Sequence, residues 1–192
     1  MDLEQLRDRM GEVGNGRVAT LNDYELSFNK LSVHDEYGRA NLVDSPSSKA
    51  EGVVFDLTDE QFTKMDRKEG KGYKRVDVLV QVDNDTHEAQ TYIATAEFIV
   101  DGLQPSDEYL ERIIGGAREH GLSEAYVAKI ETLALSTKGL GVAGRILYHK
   151  GYEKAYDLDK DKNDSRLTDC LSLRRLMKAS VFFVSYNPEE TK

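Results

Sequence analysis

Glu69 is the residue whose type and setting are best suited to chemistry. It belongs to the run Met65-Asp66-Arg67-Lys68-Glu69-Gly70-Lys71-Gly72-Tyr73, which reads as the last turn of a helix, a glycine-marked stop and the start of a long strand. Thr58 and Gln61 have the spacing of a capping box, so the helix is predicted to begin just after Thr58. Phe62 and Met65 lie three apart and give it a short apolar stripe. Gly70 is placed to be the left-handed residue that ends it. Glu69 is then a carboxylate at the negative end of a helix dipole, where its ionisation is opposed. Held there and partly desolvated, a carboxylate is a better base than one in water. The same residues also allow a plainer arrangement, a solvated helix end with Glu69 paired loosely to Lys68 or Lys71.

The remaining chemistry-bearing patterns are weaker. Gly139-Leu140-Gly141-Val142-Ala143-Gly144 matches the dinucleotide fingerprint in letters, but it follows a predicted helix and not a strand. Asp157, Asp159 and Asp161 have calcium-loop spacing, yet Lys162 stands at the sharp-turn glycine position and Thr168 at that of the bidentate glutamate. A solvated charged loop is the better reading. His34, His87, His120 and His149 show no metal-ligand spacing, and His120 suits a helix C-terminus as a cation. Cys170, in a leucine-rich stretch, reads as a small buried residue. No Ser-His-Asp constellation is legible.

Composition narrows the function classes. The 192 residues suit one domain with additions, or a small domain plus an appendage, and a hydrophobic content of 39% is enough for a core. A net charge of −9 and a pI near 5.0 argue against a nucleic-acid or anionic-membrane partner. Cys170 is the only cysteine, so no intramolecular disulfide forms and a reducing cytoplasm is the expected home. No apolar run approaches a membrane span, and the N-terminus lacks a signal peptide's apolar core.

The rest of the chain supplies the elements that must carry Glu69. Met1 to Met10 has the spacing of a short amphipathic helix capped by Asp2. Arg17 to Leu31 supplies one or two strands, with Tyr24, Leu26 and Phe28 alternating against Glu25 and Ser27. Val33 to Ser48 reads mostly as loop, with a turn cluster at Asp44-Ser45-Pro46-Ser47-Ser48. Val53-Val54-Phe55 is a short buried strand leading into the Thr58-capped helix. Tyr73 to Val82 is the clearest strand, with Val76, Val78, Val80 and Val82 on one face. Asp83-Asn84-Asp85 turns it into a hairpin partner over Glu88 to Thr95. Ser106 caps a helix lined by Tyr109, Leu110, Ile113, Ile114 and Ala117 and stopped at His120-Gly121, and Ser123 caps another. Asp164 to Lys178 has helical character. Ser180 to Tyr186 is a late strand that either pairs with a sheet edge or covers the site. Strands followed by helices suggest an α+β fold with a mostly antiparallel, barrel-like sheet.

The run from Ala19 to Tyr126 resembles the γ-glutamyl cyclotransferase family. The resemblance is carried by Ala19-Thr20-Leu21-Asn22-Asp23-Tyr24-Glu25-Leu26-Ser27-Phe28, Gly38-Arg39-Ala40-Asn41-Leu42 and Glu51-Gly52-Val53-Val54-Phe55-Asp56-Leu57. The Asp66-to-Tyr73 stretch, Thr91-Tyr92-Ile93, Pro105-Ser106-Asp107-Glu108-Tyr109-Leu110 and Gly115-Gly116-Ala117-Arg118-Glu119-His120-Gly121-Leu122 follow in the same order. It implies a small, mostly antiparallel closed β-barrel with flanking helices and the site at its mouth. Residues 1–135 would form that domain, and residues 136–192 an extension packing on it.

The resemblance further implies intramolecular aminolysis of a γ-glutamyl substrate, which releases 5-oxoproline and an amine or amino acid. Glu69 falls on the catalytic base, and Tyr73 and Tyr109 fall on positions lining the substrate site. No metal and no cofactor is implied, and the partner is a small molecule. The oligomeric state is open between a monomer and a homodimer. The leaving group is open between an amino acid and an amine, and a non-catalytic binding module of the same fold is the alternative. The family opens with a buried strand ending in a Tyr-Gly-Ser-Asn type turn that holds the γ-glutamyl moiety. This chain opens with Met1-Asp2-Leu3-Glu4-Gln5-Leu6, which looks like the part after that turn, so a natural start upstream of Met1 is expected.

Overall fold

The structure is a computed structural model that describes residues 3–35, 37–137 and 183–186. Helix α1 (Leu3–Met10) leads into β1 (Arg17–Leu31) and β2 (Gly38–Asp56). Helix α2 (Asp59–Glu69) and a single 3-10 turn (Gly70–Gly72) feed the hairpin of β3 (Tyr73–Val82) and β4 (Asp85–Ala94). Helices α3 (Asp107–Glu119) and α4 (Glu124–Thr137) follow, and β5 (Phe183–Tyr186) comes last.

The four long strands form one antiparallel sheet in the order β2-β1-β3-β4. Taken alone, that sheet is open. β5 pairs in parallel with Val53 to Asp56 of β2 and meets β4 through the single pair Gln90↔Ser185. The circuit of strand pairings, β1-β2-β5-β4-β3, is completed only through it. The α+β class is as the sequence suggests. The sheet is mostly antiparallel, as expected; its four long strands do not close on themselves, and the barrel circuit is completed by the short β5, parallel to β2 and antiparallel to β4. Of the two placements left open for the late strand, edge pairing is the one seen.

The core lies between this sheet and the helices, with Leu6 and Met10 of α1, Phe28, Leu42, Val54 and Val80 of the strands, Met65 of α2, and Tyr109, Ile113, Val127 and Ile130 of α3 and α4 all buried. The alternating valines of β3 behave as period two requires: Val78, Val80 and Val82 are buried, and Leu79 between them is 61% exposed.

The capping box forms as read. Gln61 N–H donates to Thr58 Oγ1 (3.3 Å), and Thr58 N–H donates to Gln61 Oε1 (2.9 Å). Gln61 Nε2 also donates to the Glu12 carbonyl at 2.8 Å, which ties α2 to the chain leaving α1. Thr58→Ala is expected to lower stability by about 1 kcal/mol, read as a lower urea midpoint at unchanged slope. An unchanged midpoint would show that Gln61 holds the helix start by itself.

One expectation fails in an informative way. Val33 to Ser48 is not mostly loop, because β2 starts at Gly38 and runs through the Ser-Pro-Ser-Ser cluster. The register passes from Asn22↔Lys49 to Tyr24↔Asp44, so residues 45–48 of β2 bulge out opposite Asp23 alone. Pro46 has no N–H to give a ladder, and Asp23 and Ser47 take positive φ values of 61° and 67°. Ser47 N–H is instead satisfied by Asp23 Oδ1 at 2.9 Å. The local turn chemistry was legible, but resumption of the ladder beyond it depends on β1. The Asp2 cap, Gly139 to Gly144, Asp157 to Asp161, the helical stretch Asp164 to Lys178, His149 and Cys170 lie outside the described residues.

Candidate active site

Glu69 is the last residue of α2 and at the same time caps the following 3-10 turn. Gly70 makes the break with φ 59° and ψ −155°, while its N–H still bonds the Asp66 carbonyl. The φ is positive as expected. The ψ lies outside the left-handed helical region, in a conformation open to glycine and strained for other residues. The chain then enters β3 at Tyr73, four residues past Glu69, so α2 and β3 hold the carboxylate and the phenol on either side of one turn.

The two tyrosines converge on Ala40, in the first residues of β2. Tyr73 O–H donates to the Ala40 carbonyl at 2.7 Å. Ala40 N–H donates to the Tyr109 hydroxyl at 3.0 Å. Tyr109 is 1% exposed and packs edge-on against Phe28, with ring centroids 6.4 Å apart. Beside them, buried Asn41 donates from Nδ2 to Asn29 Oδ1 (2.9 Å) and accepts from Ala94 N–H (2.8 Å), which joins β1, β2 and β4. Glu69 lies near enough to Tyr73 to raise its phenol pKa further, behind burial and Tyr109 in effect and against Arg39. Tyr73 and Tyr109, singled out from sequence, thus meet at Ala40, and Glu69 lies four residues before Tyr73, at the end of α2.

Two cations complete the cluster. Opposite Ala40 the register shifts: Ser27 pairs with Asn41 and Lys30 with Arg39, so Phe28 and Asn29 face Ala40 alone. Such a bulge re-aims side chains, and here Phe28 through Ser32 are all buried. Lys30 is 8% exposed. Its ammonium stands 5.3 Å from the ring centroids of Tyr73 and of Phe98. Arg39 lies over the Tyr109 ring at 5.0 Å, and its Nη2 pairs with Asp35 at 2.5 Å. Arg39 Nη1 is buried and has no hydrogen-bond partner among the described residues.

Burial first, and then the Arg39 charge, push the Lys30 ammonium down from 10.5 to about 8, with Glu69 and Asp35 pulling the other way. Because the folded value is the lower one, the unfolded chain binds more protons between pH 8 and 10.5. The penalty is thus fully present below about pH 8 and fades as the pH rises through that window. Lys30→Met is expected to stabilise the fold at pH 7 by on the order of 2–3 kcal/mol, and wild type should draw level above pH 10. Denaturant midpoints at the two pH values check this. A less stable variant at pH 7 would show that the cation–π contacts outweigh desolvation.

Neither Lys30 nor Arg39 was singled out from sequence. A signal for Lys30 was present: the inward parity of Leu26 and Phe28 continues onto it, placing a lysine on an apolar face. For Arg39 the partner strand had to be known. Among the described residues no three His, Cys, Asp or Glu side chains are grouped to hold a metal, and no helix is long and apolar enough to cross a membrane.

This fold is that of the γ-glutamyl cyclotransferases. A solved structure named γ-glutamyl cyclotransferase superposes with a TM-score of 0.62 at 24% identity, over 68% of this chain and 80% of that one. Residues 49–130 match the model of the AIG2-like family. By sequence the chain is similar to the γ-glutamylcyclotransferases of Mus musculus, 27% identical over 122 residues, and of Bos taurus, 28% identical over 121 residues. Each match covers 60% of this chain and 64% of the relative. The chain thus spans just under two thirds of the length of those relatives. By fold and by sequence the chain is similar to the γ-glutamyl cyclotransferases.

Proposed function

We propose that this chain catalyses γ-glutamyl cyclotransfer, releasing 5-oxoproline from a γ-glutamyl substrate with Glu69 as base. The reading is supported by the meeting of Tyr73 and Tyr109 at Ala40, with Glu69 ending the helix that feeds Tyr73, on a fold like that of the γ-glutamyl cyclotransferases. Glu69 first pairs with the substrate's α-ammonium and then takes its proton. The freed amine attacks the substrate's own γ-carbonyl carbon and forms the ring C–N bond. The bond from that carbon to the leaving nitrogen then breaks, and the proton held by Glu69 passes to the departing amine.

The chemistry needs little apparatus because the nucleophile is tethered, which gives ring closure a large effective molarity. Tyr73 and Tyr109 act by holding Ala40 and the start of β2 in place beside the base. Both hydroxyls meet the Ala40 backbone, so their contribution to binding comes through position as well as through the ring surfaces. The substrate is a small molecule, and a cytoplasmic setting fits the acidic, single-cysteine composition.

The test is a panel of γ-glutamyl amino acids and γ-glutamyl amines, with 5-oxoproline followed by mass spectrometry. Release is expected from at least one of them, and the preferred member identifies the leaving group. No release from any member by the folded protein would replace this reading with a binding module of the same fold.

A further inference from the structure

The site holds more positive charge than its proposed proton transfer uses. Lys30 and Arg39 are ladder partners, so two cations lie side by side in a largely buried position. Arg39 spends Nη2 on Asp35, while Nη1 is buried without a hydrogen-bond partner among the described residues. Lys30 is packed over Gly72, where even a methyl group would come within 3.1 Å of Nζ. Gly72 thereby leaves room for the ammonium beside the turn that carries Glu69.

A buried pair of like charges costs stability, and unmet donors in such a place call for an explanation. Cation–π packing against Tyr73, Phe98 and Tyr109 holds the two groups but does not satisfy Arg39 Nη1. The charges have a definite sense: a carboxylate, Glu69, is within electrostatic reach of the Lys30 ammonium. That pattern is the complement of an amino-acid zwitterion, whose ammonium and carboxylate are separated by one carbon.

We infer that Lys30 and Arg39 form a carboxylate subsite, which binds the α-carboxylate of the γ-glutamyl group while Glu69 takes the α-ammonium. The inference rests on the cyclotransferase reading for the identity of the carboxylate. It makes the amino-acid end of the substrate, present whatever the leaving group, the part that is recognised by charge. Lys30 and Arg39 are binding residues here, and neither takes part in the proton transfer.

The test uses two readouts. In the first, binding of 5-oxoproline and of its neutral carboxamide is measured by calorimetry with wild type, Lys30→Met and Arg39→Met. 5-Oxoproline keeps the α-carboxylate and has no ammonium, so its binding does not depend on Glu69 acting as a base. Wild type is expected to prefer the acid by about tenfold to a hundredfold, the span of one or two charge-assisted hydrogen bonds, and each variant should lose most of that preference. A purely structural role would weaken both ligands equally and leave the ratio intact, which would overturn the inference. So would wild type binding neither compound, or binding both alike.

In the second readout, kcat/KM is compared for γ-glutamyl-alanine, its α-carboxamide analogue and γ-glutamyl-ethylamide. Loss of discrimination at the α-position in the variants supports the assignment. Loss confined to the alanine carboxylate moves the subsite to the leaving group and overturns it. If wild type turns over nothing yet prefers the acid in a Lys30- and Arg39-dependent way, the catalytic reading fails and the subsite stands.

Discussion

Glu69→Gln is expected to lower kcat for 5-oxoproline release by about a hundredfold to ten-thousandfold, with the fold unchanged. Glutamine keeps the length and shape of the side chain and removes the one property the mechanism needs, a site for the ammonium proton. The fold loses the attraction of Glu69 for the buried Lys30 ammonium and gains relief at the helix end, two effects of opposite sign. A carboxylate on the final residue of α2 faces the negative end of that helix, where it is mildly unfavourable. Replacing it with a neutral amide should change the melting temperature little, because relief at the helix end offsets the attraction lost to Lys30. Rate and stability thus separate, which distinguishes a lost base from a damaged scaffold. A variant that turns over at the wild-type rate would remove Glu69 from the chemistry.

Gly38→Ala should have the largest effect on the scaffold. A Cβ at Gly38 would lie 1.9 Å from the Phe28 carbonyl oxygen and 2.9 Å from Leu103 Cβ. The first of these is a backbone atom inside the bulge of β1, so no rotamer change relieves it. Gly38 N–H is also bonded to the Gln104 carbonyl at 2.8 Å, which leaves the strand little freedom to withdraw. β2 must separate from β1 where Arg39 and Ala40 begin. A loss of about 2–4 kcal/mol is expected, measured as a lower urea midpoint. Activity measured well below that midpoint should fall as well, because Ala40 is pulled away from Tyr73 and Tyr109. A wild-type midpoint would mean that β2 can shift at no cost and that the bulge does not fix the site.

How much of this was legible in the sequence follows the range of the interactions. The Thr58–Gln61 box, the Ser106 cap, the hairpin turn at Asp83 and the glycine stop after Glu69 are settled between residues a few positions apart. All four stand where the residue types put them. The extent of β2 was not legible, because Ser45-Pro46-Ser47-Ser48 carries a true turn signal locally. Only pairing with β1 on both sides of it keeps the strand going. The late strand could be recognised, but its place between β2 and β4 is a matter of long-range pairing.

The same division runs through the site. Glu69 was singled out from its place at a helix end and, with Tyr73 and Tyr109, from a resemblance carried by short motifs. Lys30 and Arg39 were missed because a charged residue in a strand ordinarily faces water. Lys30 continues the inward parity of Leu26 and Phe28, whereas the place of Arg39 opposite it depends on the pairing of two strands.

The most direct measurement of the central claim is the identity of the product formed from the γ-carbonyl carbon. The purified chain is incubated with a γ-glutamyl amino acid labelled in its glutamyl carbons, and the label is followed by NMR. Attack by the substrate's own amine places it in 5-oxoproline, and that is the result expected. Label appearing in free glutamate would mean that water is the nucleophile, and would contradict the account even if Glu69 proved essential.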